Sequence, residues 1–474
     1  MPSRRSRQVS CTLLLAALAG CGDKPGAADH PVQAISHDPY VNPDTWHATQ
    51  VEPDSFAHGS TIVAAFQSGR APNGGASNIG WARSADNGVT WTHGFLPGIT
   101  TVAGGPYARV TDSAVAYDEL HGVWMVSYIA FNVPGGFVGP PAAVMVSRST
   151  DDGLTWGMPI AMDIQTTPTI ADKNWTVCDN HPTSPFYGRC YTQYSAPSPT
   201  PDGYPLSMVV RTSTDGGLTW GEQTGVAGGQ YGGGGQPIVQ PDGTVVVPFE
   251  QLSLTDPNFQ AMAAFRSTDG GAAWGDTSEI GRVHLFDRPE HDIRGGVLPS
   301  AAVDDAGRIY VVWNDCRFEQ GCHTQDVVMT TSDDGIHWTP IRRVPFQRVG
   351  SSKAYYLPVI DVRPGTTDSG AHLGLYSWVL QRADCPTDLC KVRVEFLESR
   401  DGGNSWSDVR HIGPPMGLTW FPRTGPGYMF GDYQALNFTG DGTAVAVLPI
   451  AHKPSDGMQN VPMSVARLVT AGTE

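Results

Sequence analysis

Apolar positions along this chain form short strand-like runs, and the runs come in groups of three that end in the same kind of turn. Runs of this length, separated by turns containing Gly and Asp, are typical of β-strands. The pattern predicts an all-β chain with antiparallel strands. The third runs of the successive groups read IGWARS, AAVMVSRS, LSMVVRTS, AMAAFRS, DVVMTTS and VRVEFLES.

The turn that ends each group has the pattern Ser/Thr-x-Asp-x-Gly-x-x-Trp, and we refer to it as the repeated turn. Its Asp carboxylate can accept hydrogen bonds from N–H groups that follow it, its Gly supplies a positive φ, and its Trp can anchor between sheets. We therefore interpret the Asp residues as turn caps. The six copies begin at Ser84, Ser149, Ser213, Ser267, Thr331 and Ser399.

The spacing of the repeated turns predicts the architecture. The first and last copies begin 315 residues apart, which gives a mean spacing of 63 residues over five intervals. This is the size of one four-stranded antiparallel blade with its loops, so the chain is predicted to be a single β-propeller. The 56 Gly and 38 Pro residues suit many short strands joined by turns.

A last group of runs, GDYQALNF, GTAVAVLPI and PMSVARL, lacks the repeated turn. Its fourth strand is expected from the N-terminal segment Val32 to Ser36. Pairing of the first and last segments would close the ring and remove the exposed sheet edges. The count favours seven blades, with six as the alternative, over residues 32–474.

The N-terminus has the pattern of an export signal. Three arginines lie within the first seven residues, and the apolar stretch from Val9 to Ala19 is too short to span a bilayer as a helix. The segment ends in LAGC and resembles a bacterial lipobox, which implies a signal peptide over 1–20 and a lipidated Cys21. Residues 21–31 are expected to form a flexible tether. We expect an exported protein anchored by lipid at the cell envelope, with Gly22 favouring the outer membrane.

Six cysteines remain after Cys11 and Cys21, and they fall into three local couples. An oxidising compartment would make each couple a disulfide worth roughly 2–3 kcal/mol. A metal site is the alternative, but CxxC and His spacings are missing. The couples are Cys178 with Cys190, Cys316 with Cys322, and Cys385 with Cys390.

The formal net charge of −16 argues against nucleic acid or an anionic membrane surface as the main partner. Contact with the membrane is expected only through the lipid. An acidic substrate would need a local cluster of arginines that works against this charge. We expect a monomer.

The repeated turn is identified as the Asp-box of sialidase-like β-propellers, and the chain resembles exo-sialidases over almost the whole mature length. The segments TIVAAFQSGR, GGGGQPIVQPDGTVVVPFEQ and RIYVVWNDCR are similar to sialidase blades. The resemblance implies a site at one end of the central channel. It also implies a Tyr nucleophile with a Glu base, three arginines that hold a substrate carboxylate, and an Asp general acid.

The match of site residues to this family is partial. Tyr433 in GDYQAL stands at the position of the nucleophile and Arg317 in NDCR at that of the second arginine. Arg382 matches the third, with Arg363 as the less favoured alternative. The motif of the first arginine is replaced by VEPD at residues 51–54, the loop after Arg70 offers no Asp, and the Glu partner is absent from GGVLPSAAV.

Further polar residues at the starts of inner strands could form a different site, although turn caps and solvated rim charges are the structural alternative. Asp112 and Asp172 are the further catalytic candidates, and Glu52, Asp54 and Lys173 lie at equivalent points. The candidates for substrate binding are Arg70, Arg294, Trp175, Lys353, Tyr355 and Asp432.

No cofactor is expected, except that the acidic run Asp287, Glu290 and Asp292 could hold a structural calcium ion. The best functional hypothesis is an exo-glycosidase that removes a terminal acidic sugar from a glycan, as exo-α-sialidases do. The alternatives are a non-catalytic propeller that binds glycan or protein, and a polysaccharide lyase.

Overall fold

A computed structural model of the chain describes residues 30–136, 138–200, 203–286 and 293–468. The lipobox with Cys21, most of the tether and the acidic run at 287–292 lie outside these residues. No helix in the described ranges is long and apolar enough to cross a membrane. Short 3-10 turns occur at Thr101–Ala103, Pro134–Gly136, Gln320–Cys322, Asp368–Gly370 and Leu418–Trp420.

The strands of the first half of the chain follow one another in antiparallel sets. Those up to the third repeated turn are β1 (Gln33–Ala34), β2 (Gln50–His58), β3 (Thr61–Arg70), β4 (Ala76–Ser84), β5 (Thr92–Phe95), β6 (Arg109–Asp118), β7 (Val123–Asn132), β8 (Gly139–Ser149), β9 (Ile160–Gln165), β10 (Asp172–Cys178), β11 (Cys190–Pro197) and β12 (Leu206–Ser213). Those that follow are β13 (Gly232–Gly233), β14 (Ile238–Val239), β15 (Val245–Leu252), β16 (Gln260–Ser267) and β17 (Ser278–Arg282).

The second half continues in the same way and adds one small hairpin, β26–β27. Its strands are β18 (Ser300–Val303), β19 (Ile309–Asp315), β20 (Asp326–Ser332), β21 (Arg342–Arg343), β22 (Ala354–Val362), β23 (Leu373–Leu380), β24 (Lys391–Ser399), β25 (Arg410–Gly417), β26 (Arg423–Thr424), β27 (Gly427–Tyr428), β28 (Ala435–Phe438), β29 (Ala444–Pro449) and β30 (Met463–Leu468).

The strands form seven antiparallel sets, in the order β2–β5, β6–β9, β10–β12, β13–β17, β18–β21, β22–β25 and β28–β30 with β1. Five sets have the predicted four strands, whereas β10–β12 has three and β13–β17 has five. The first two sets form one continuous sheet through the single pair Ala76 and Val110, and we keep seven blades as the predicted number. The predicted all-β propeller architecture is confirmed.

The ring closes between the two ends of the described chain. Strand β1 pairs antiparallel with β30, with Gln33 opposite Val465 and Ala34 opposite Ser464. This confirms the pairing predicted for the N-terminal segment. It also supplies the fourth strand of the set that has no repeated turn and covers the edge that β30 would otherwise expose.

The repeated turns close on their Asp carboxylates as predicted, with one shift of register. In five copies the Asp at the third position accepts the N–H of the residue four positions on, as Asp86 does from Thr90 at 2.8 Å. In the remaining copy, which begins at Thr331, Asp334 takes this role: it accepts the hydroxyl of Ser332 and the N–H of His337. Asp333, which the pattern indicated, instead pairs with Arg308.

The Trp residues of the repeated turns lie between neighbouring sets, as predicted. Trp91 packs against a cluster that joins β28–β30 to the first set, with Ile62 and Val445 at its centre. Trp156 and Trp274 belong to the corresponding clusters further along the ring. The core is therefore a series of apolar layers between sheets, and the inner edges of the sheets remain free to line a channel.

All three predicted disulfides are present: Cys178–Cys190, Cys316–Cys322 and Cys385–Cys390. The first joins the start of β11 to the end of β10, the strand that carries Asp172 and Trp175. It therefore closes the loop directly below one wall of the channel.

The shifted turn gives a direct test of the fold. Asp334→Ala should lower the free energy of unfolding by about 1–2 kcal/mol, because Asp334 accepts the N–H groups of Ile336 and His337, each at 2.8 Å. Asp333→Ala removes only an exposed ion pair and should change it by less than about 0.5 kcal/mol. Urea denaturation of both variants measures this difference. A larger loss for Asp333→Ala would contradict the assigned register.

Candidate functional site

Three neighbouring inner strands change register at an ionisable residue. The pairing shifts between Val51 and Asp54 on β2, and equivalent shifts occur on β6 and β10. At each shift one residue has a positive φ: Glu52 at 53°, Asp112 at 55° and Lys173 at 45°. Left-handed conformations at non-Gly residues cost about 1–3 kcal/mol each and cluster at functional sites. Such bulges redirect side chains, and here they turn a Glu, an Asp and a Lys toward the same place.

Carboxylates tie these inner strands to one another. Asp54 Oδ2 on β2 accepts the N–H of Val115 on β6 at 2.7 Å. Asp112 Oδ2 on β6 accepts the N–H of Lys173 on β10 at 3.3 Å. Backbone N–H groups that the bulges leave unpaired in the sheet thus donate to carboxyl groups of the preceding inner strand. These hydrogen bonds hold the inner strands side by side.

Arg294 and Asp432 form the most polar part of the cluster. Arg294 Nε donates to both oxygens of Asp432, at 2.8 and 3.0 Å, and a second guanidinium nitrogen also contacts the carboxylate. Their side chains are 26% and 20% exposed, so solvent and ligands can reach them. Burial alone would raise the pKa of Asp432, but the hydrogen bonds and charge of Arg294 outweigh it and hold the pKa below 3.8. Asp432 is therefore ionised.

Hairpin β26–β27 positions Arg294. The N–H of Arg294 donates to the Tyr428 carbonyl at 2.9 Å, and Ile293 pairs with the same residue. At the other side of the hairpin, the N–H of Gly425 donates to the Pro72 carbonyl at 3.0 Å. The hairpin thus bridges the loop after β3 and the segment that carries Arg294, and it forms one wall of the site.

Glu52 is fully buried behind this pair. One of its oxygens accepts the N–H of Asp432 at 3.1 Å, and the other accepts the amide of Gln67. Burial raises the pKa of Glu52 to about 8, and the charges of Asp432 and Asp112 act in the same direction. Glu52 therefore carries a proton at neutral pH.

Asp172, at the start of β10, is the exposed carboxyl group of the cluster. The surrounding walls partly desolvate it and raise its pKa to about 6, and the nearby charges of Asp112 and Asp432 add to this effect. Asp172 and Asp432 are thus two accessible carboxyl groups whose acidities have been shifted in opposite directions.

Lys173, the next residue after Asp172, lies against two aromatic rings. Its Nζ is 3.3 Å from the ring centroid of Tyr433 and 4.2 Å from that of Trp175, and the two rings meet edge to face at 5.4 Å. In the described part of the chain, neither Nζ nor the Tyr433 hydroxyl has a hydrogen-bond partner. Burial lowers the pKa of Lys173 despite its acidic neighbours. The ammonium is held by ring faces and by the field of the carboxylates.

The Tyr433 phenol is not activated in this arrangement. Burial raises its pKa well above 10, and nearby acidic groups, among them Asp112 and Asp432, act in the same direction. A phenol that is to act as a nucleophile needs a base within hydrogen-bond reach. The predicted nucleophile therefore lies in the cluster, but its surroundings favour the neutral phenol.

Arg70 also reaches the cluster but is 2% exposed. Its guanidinium donates to the Gly75 carbonyl at 2.8 Å, to the Gln67 side chain at 3.2 Å and to the Met429 sulfur at 3.0 Å. These bonds hold it as a fixed positive charge behind Glu52. A substrate carboxylate would have to break them to reach Arg70.

Seven of the predicted site residues converge here, and the structure holds four others elsewhere. The seven are Tyr433, Asp112, Asp172, Arg70, Arg294, Trp175 and Asp432. Arg317 is bonded to Asp315 and the Arg282 carbonyl, and Arg382 pairs with Asp384 with its side chain 67% exposed.

Lys353 and Tyr355 instead bond the buried Glu395 on β24, each at 2.6 Å. His411 lies 3.7 Å from the same carboxylate, and the three side chains form a separate network around this buried charge. This correction removes them from the proposed ring of substrate-binding residues.

Sequence reasoning missed Gln67, which connects Arg70 and Glu52, and Met429, whose sulfur accepts a hydrogen bond from Arg70. Gln67 stands in the apolar run of β3, where a buried amide in a strand indicates a specific partner. Met429 has no comparable signal. No group of three His, Cys, Asp or Glu residues with metal-binding geometry occurs in the ranges that the structure describes.

The proton on Glu52 can be tested by stability. The folded protein keeps this proton while the unfolded chain releases it above pH 4.5, so Glu52 lowers stability as the pH rises from about 4.5 to about 8. Glu52→Gln removes this titration. Its free energy of unfolding should therefore fall less steeply than that of the parent protein, by about 1 kcal/mol per pH unit in that window. Urea denaturation of both proteins at several pH values measures the two slopes, and equal slopes would contradict the assignment.

The chain matches no protein-family model and no curated protein sequence. Among solved structures it is similar to Hadza microbial sialidase Hz136, at 14% identity and a TM-score of 0.46, over 92% of this chain and 68% of that one. The NanB sialidase from Streptococcus pneumoniae is 12% identical with a TM-score of 0.45, over 92% of this chain and 70% of that one. An α-L-arabinanase from Penicillium chrysogenum is 15% identical with a TM-score of 0.42, over 94% of this chain and 98% of that one. The activities that these names describe belong to those proteins.

Proposed function

We propose that this protein is a glycoside hydrolase whose active site is the charged end of the central channel, where Asp172, Asp432 and Arg294 lie. The observation that carries the proposal is the pair Asp172 and Asp432, two accessible carboxyl groups with opposite acidity. Hydrolysis of a glycosidic bond needs one carboxyl group that can donate a proton and another that stays ionised. Environments that separate the pKa values of two such groups assign these roles.

In this proposal Asp172 is the general acid. Its pKa of about 6 keeps much of it protonated in mildly acidic solution, and its exposure lets it reach the oxygen of the leaving sugar. Asp432 remains ionised beside Arg294 and acts on the opposite side of the sugar ring, on water or on the developing positive charge. Glu52 stays protonated and positions Asp432 through its backbone N–H.

The way the arginines of the site are bonded favours a neutral sugar over an acidic one. Both arginines are already engaged, Arg70 by protein acceptors and Arg294 by Asp432. A terminal acidic sugar, as in exo-α-sialidase substrates, would have to compete with Asp432 for Arg294.

We also propose that the protein is exported, is anchored by lipid at the cell envelope and acts on glycans outside the cell. The N-terminal sequence pattern supports this, and the three disulfides are those of a protein that folds in an oxidising compartment.

Turnover of aryl glycosides tests the proposal. A panel of neutral, amino and sialic acid nitrophenyl glycosides should contain at least one substrate, and Asp172→Asn should reduce its kcat by about 100- to 10,000-fold. Asp333→Asn, an exposed Asp on the repeated turn, is the matched control and should keep full activity. Failure of the parent protein to cleave any glycan would leave a binding propeller and overturn the hydrolase assignment. An unsaturated product absorbing in the ultraviolet would indicate a lyase.

Tyr433→Phe separates the two-carboxyl mechanism from one with a tyrosine nucleophile. The buried phenol has no hydrogen-bond partner among the described residues, so the variant should keep kcat within about an order of magnitude of the parent value, whereas loss of a nucleophile costs up to about a millionfold. Tyr204→Phe, at an exposed tyrosine, is the matched control. Loss of all turnover in Tyr433→Phe, with an unchanged melting temperature, would assign the nucleophile to Tyr433.

A further inference from the structure

Below the charged end, the channel widens into a separate cavity of about 320 Å³. Trp175 lines both this cavity and a void of about 20 Å³ beside Tyr433 and Asp432, so its ring stands between the active site and the channel. The cavity walls come from inner strands around the whole ring. Most of them are apolar, among them Phe56, Val177, Ile238, Val303 and Ile360.

Two carboxyl groups face this mostly apolar cavity, from β2 and β22, the two strands on either side of β28. Asp54 Oδ2 accepts the N–H of Val115 and Asp361 Oδ2 accepts the N–H of Phe438, each at 2.7 Å. Neither carboxyl group forms an ion pair with an Arg, Lys or His in the part of the chain that the structure describes. Desolvation by burial raises the pKa of both to about 7. They are therefore acceptors without a counter-ion in a mostly apolar cavity.

We propose that the channel cavity is a binding site for a small amphipathic cation, an apolar body with a primary ammonium group. The apolar walls would cover the body, and the ammonium would donate to the free oxygen of Asp361 or Asp54. The volume suits a ligand the size of a substituted benzylamine.

Other ligand classes fit the cavity less well. An anion would meet two carboxyl groups, and Lys173, the nearest cation to Asp54, is held by Trp175 and Tyr433 above the cavity. A wholly apolar molecule would cover both carboxyl groups and give them no donor. A metal ion would need three or more ligands, and no such group occurs among the described residues.

Other titratable groups at the cavity are few. His181 lines its far end, where its Nε2 lies 3.2 Å from the Val239 carbonyl. Apart from Lys173 above Asp54, no charged residue of the described chain is coupled to either carboxyl group. The pH dependence of binding should therefore report Asp54 and Asp361. Entry would be from the end opposite the active site, since Trp175 closes the upper end.

Calorimetry with benzylamine and benzyl alcohol tests the proposal on the protein lacking only its leader. Benzylamine should bind with one site and at least about tenfold more tightly than benzyl alcohol. It should also bind about tenfold more tightly near pH 8 than near pH 6, with release of a proton at the lower pH. Asp361→Asn should weaken benzylamine binding by about tenfold or more, and the exposed matched control Asp276→Asn should not change it.

Equal binding of amine and alcohol, pH-independent binding, or no binding of benzylamine at millimolar concentration would overturn the proposal. If Asp361→Asn fails to fold, the comparison of the two ligands and the pH dependence in the parent protein still decide it. The result is independent of glycoside turnover, because neither Asp172 nor Asp432 lines the wide part of the channel.

Discussion

The inner strands β2, β6 and β10 each take one residue out of the regular ladder, and that residue is Glu52, Asp112 or Lys173. A regular strand would send alternate side chains into the sheet interfaces, where an ionisable group costs several kcal/mol unless it is paired. The left-handed bulge sends the charge to the channel instead and frees a backbone N–H, which a neighbouring carboxylate accepts. The backbone is locally strained at these positions, and the strained bulges place ionisable side chains from three blades on rigid strands.

Opposed electrostatic effects then give each group its own protonation state. Burial dominates at Glu52 and keeps it neutral, whereas Arg294 dominates at Asp432 and keeps it ionised. Asp172 lies between these limits, because partial desolvation and the neighbouring carboxylates raise its pKa to about 6. Lys173 has no hydrogen-bond acceptor in the described chain and is held by Trp175 and Tyr433, so it supplies positive charge without a direct ion pair. The same burial that tunes the site also leaves Asp54 and Asp361 unpaired in the channel.

Much of the fold could be predicted from the sequence because its signals are local and repeated. Each repeated turn specifies its own hydrogen bonds, and the missing copy in the last set indicated that β1 would complete it. The shift from Asp333 to Asp334 was not predictable, because the pattern places Asp333 at the capping position and only the backbone of this turn brings Asp334 there. For the site, strand starts indicated Asp112, Asp172 and Asp432. The family resemblance also suggested Arg317 and Arg382, whose actual partners Asp315 and Asp384 lie two residues away and were overlooked.

The central claim is that Asp172 and Asp432 differ in acidity within one accessible site. Carbon-13 NMR of protein labelled at the aspartate carboxyl carbons tests it, with Asp172→Asn and Asp432→Asn used to assign the two signals. The account predicts that the signal lost in Asp172→Asn titrates near pH 6 and that the signal lost in Asp432→Asn titrates below 3.8. Two signals that titrate together at the ordinary aspartate pKa would contradict the account and remove the basis for the proposed acid and its partner.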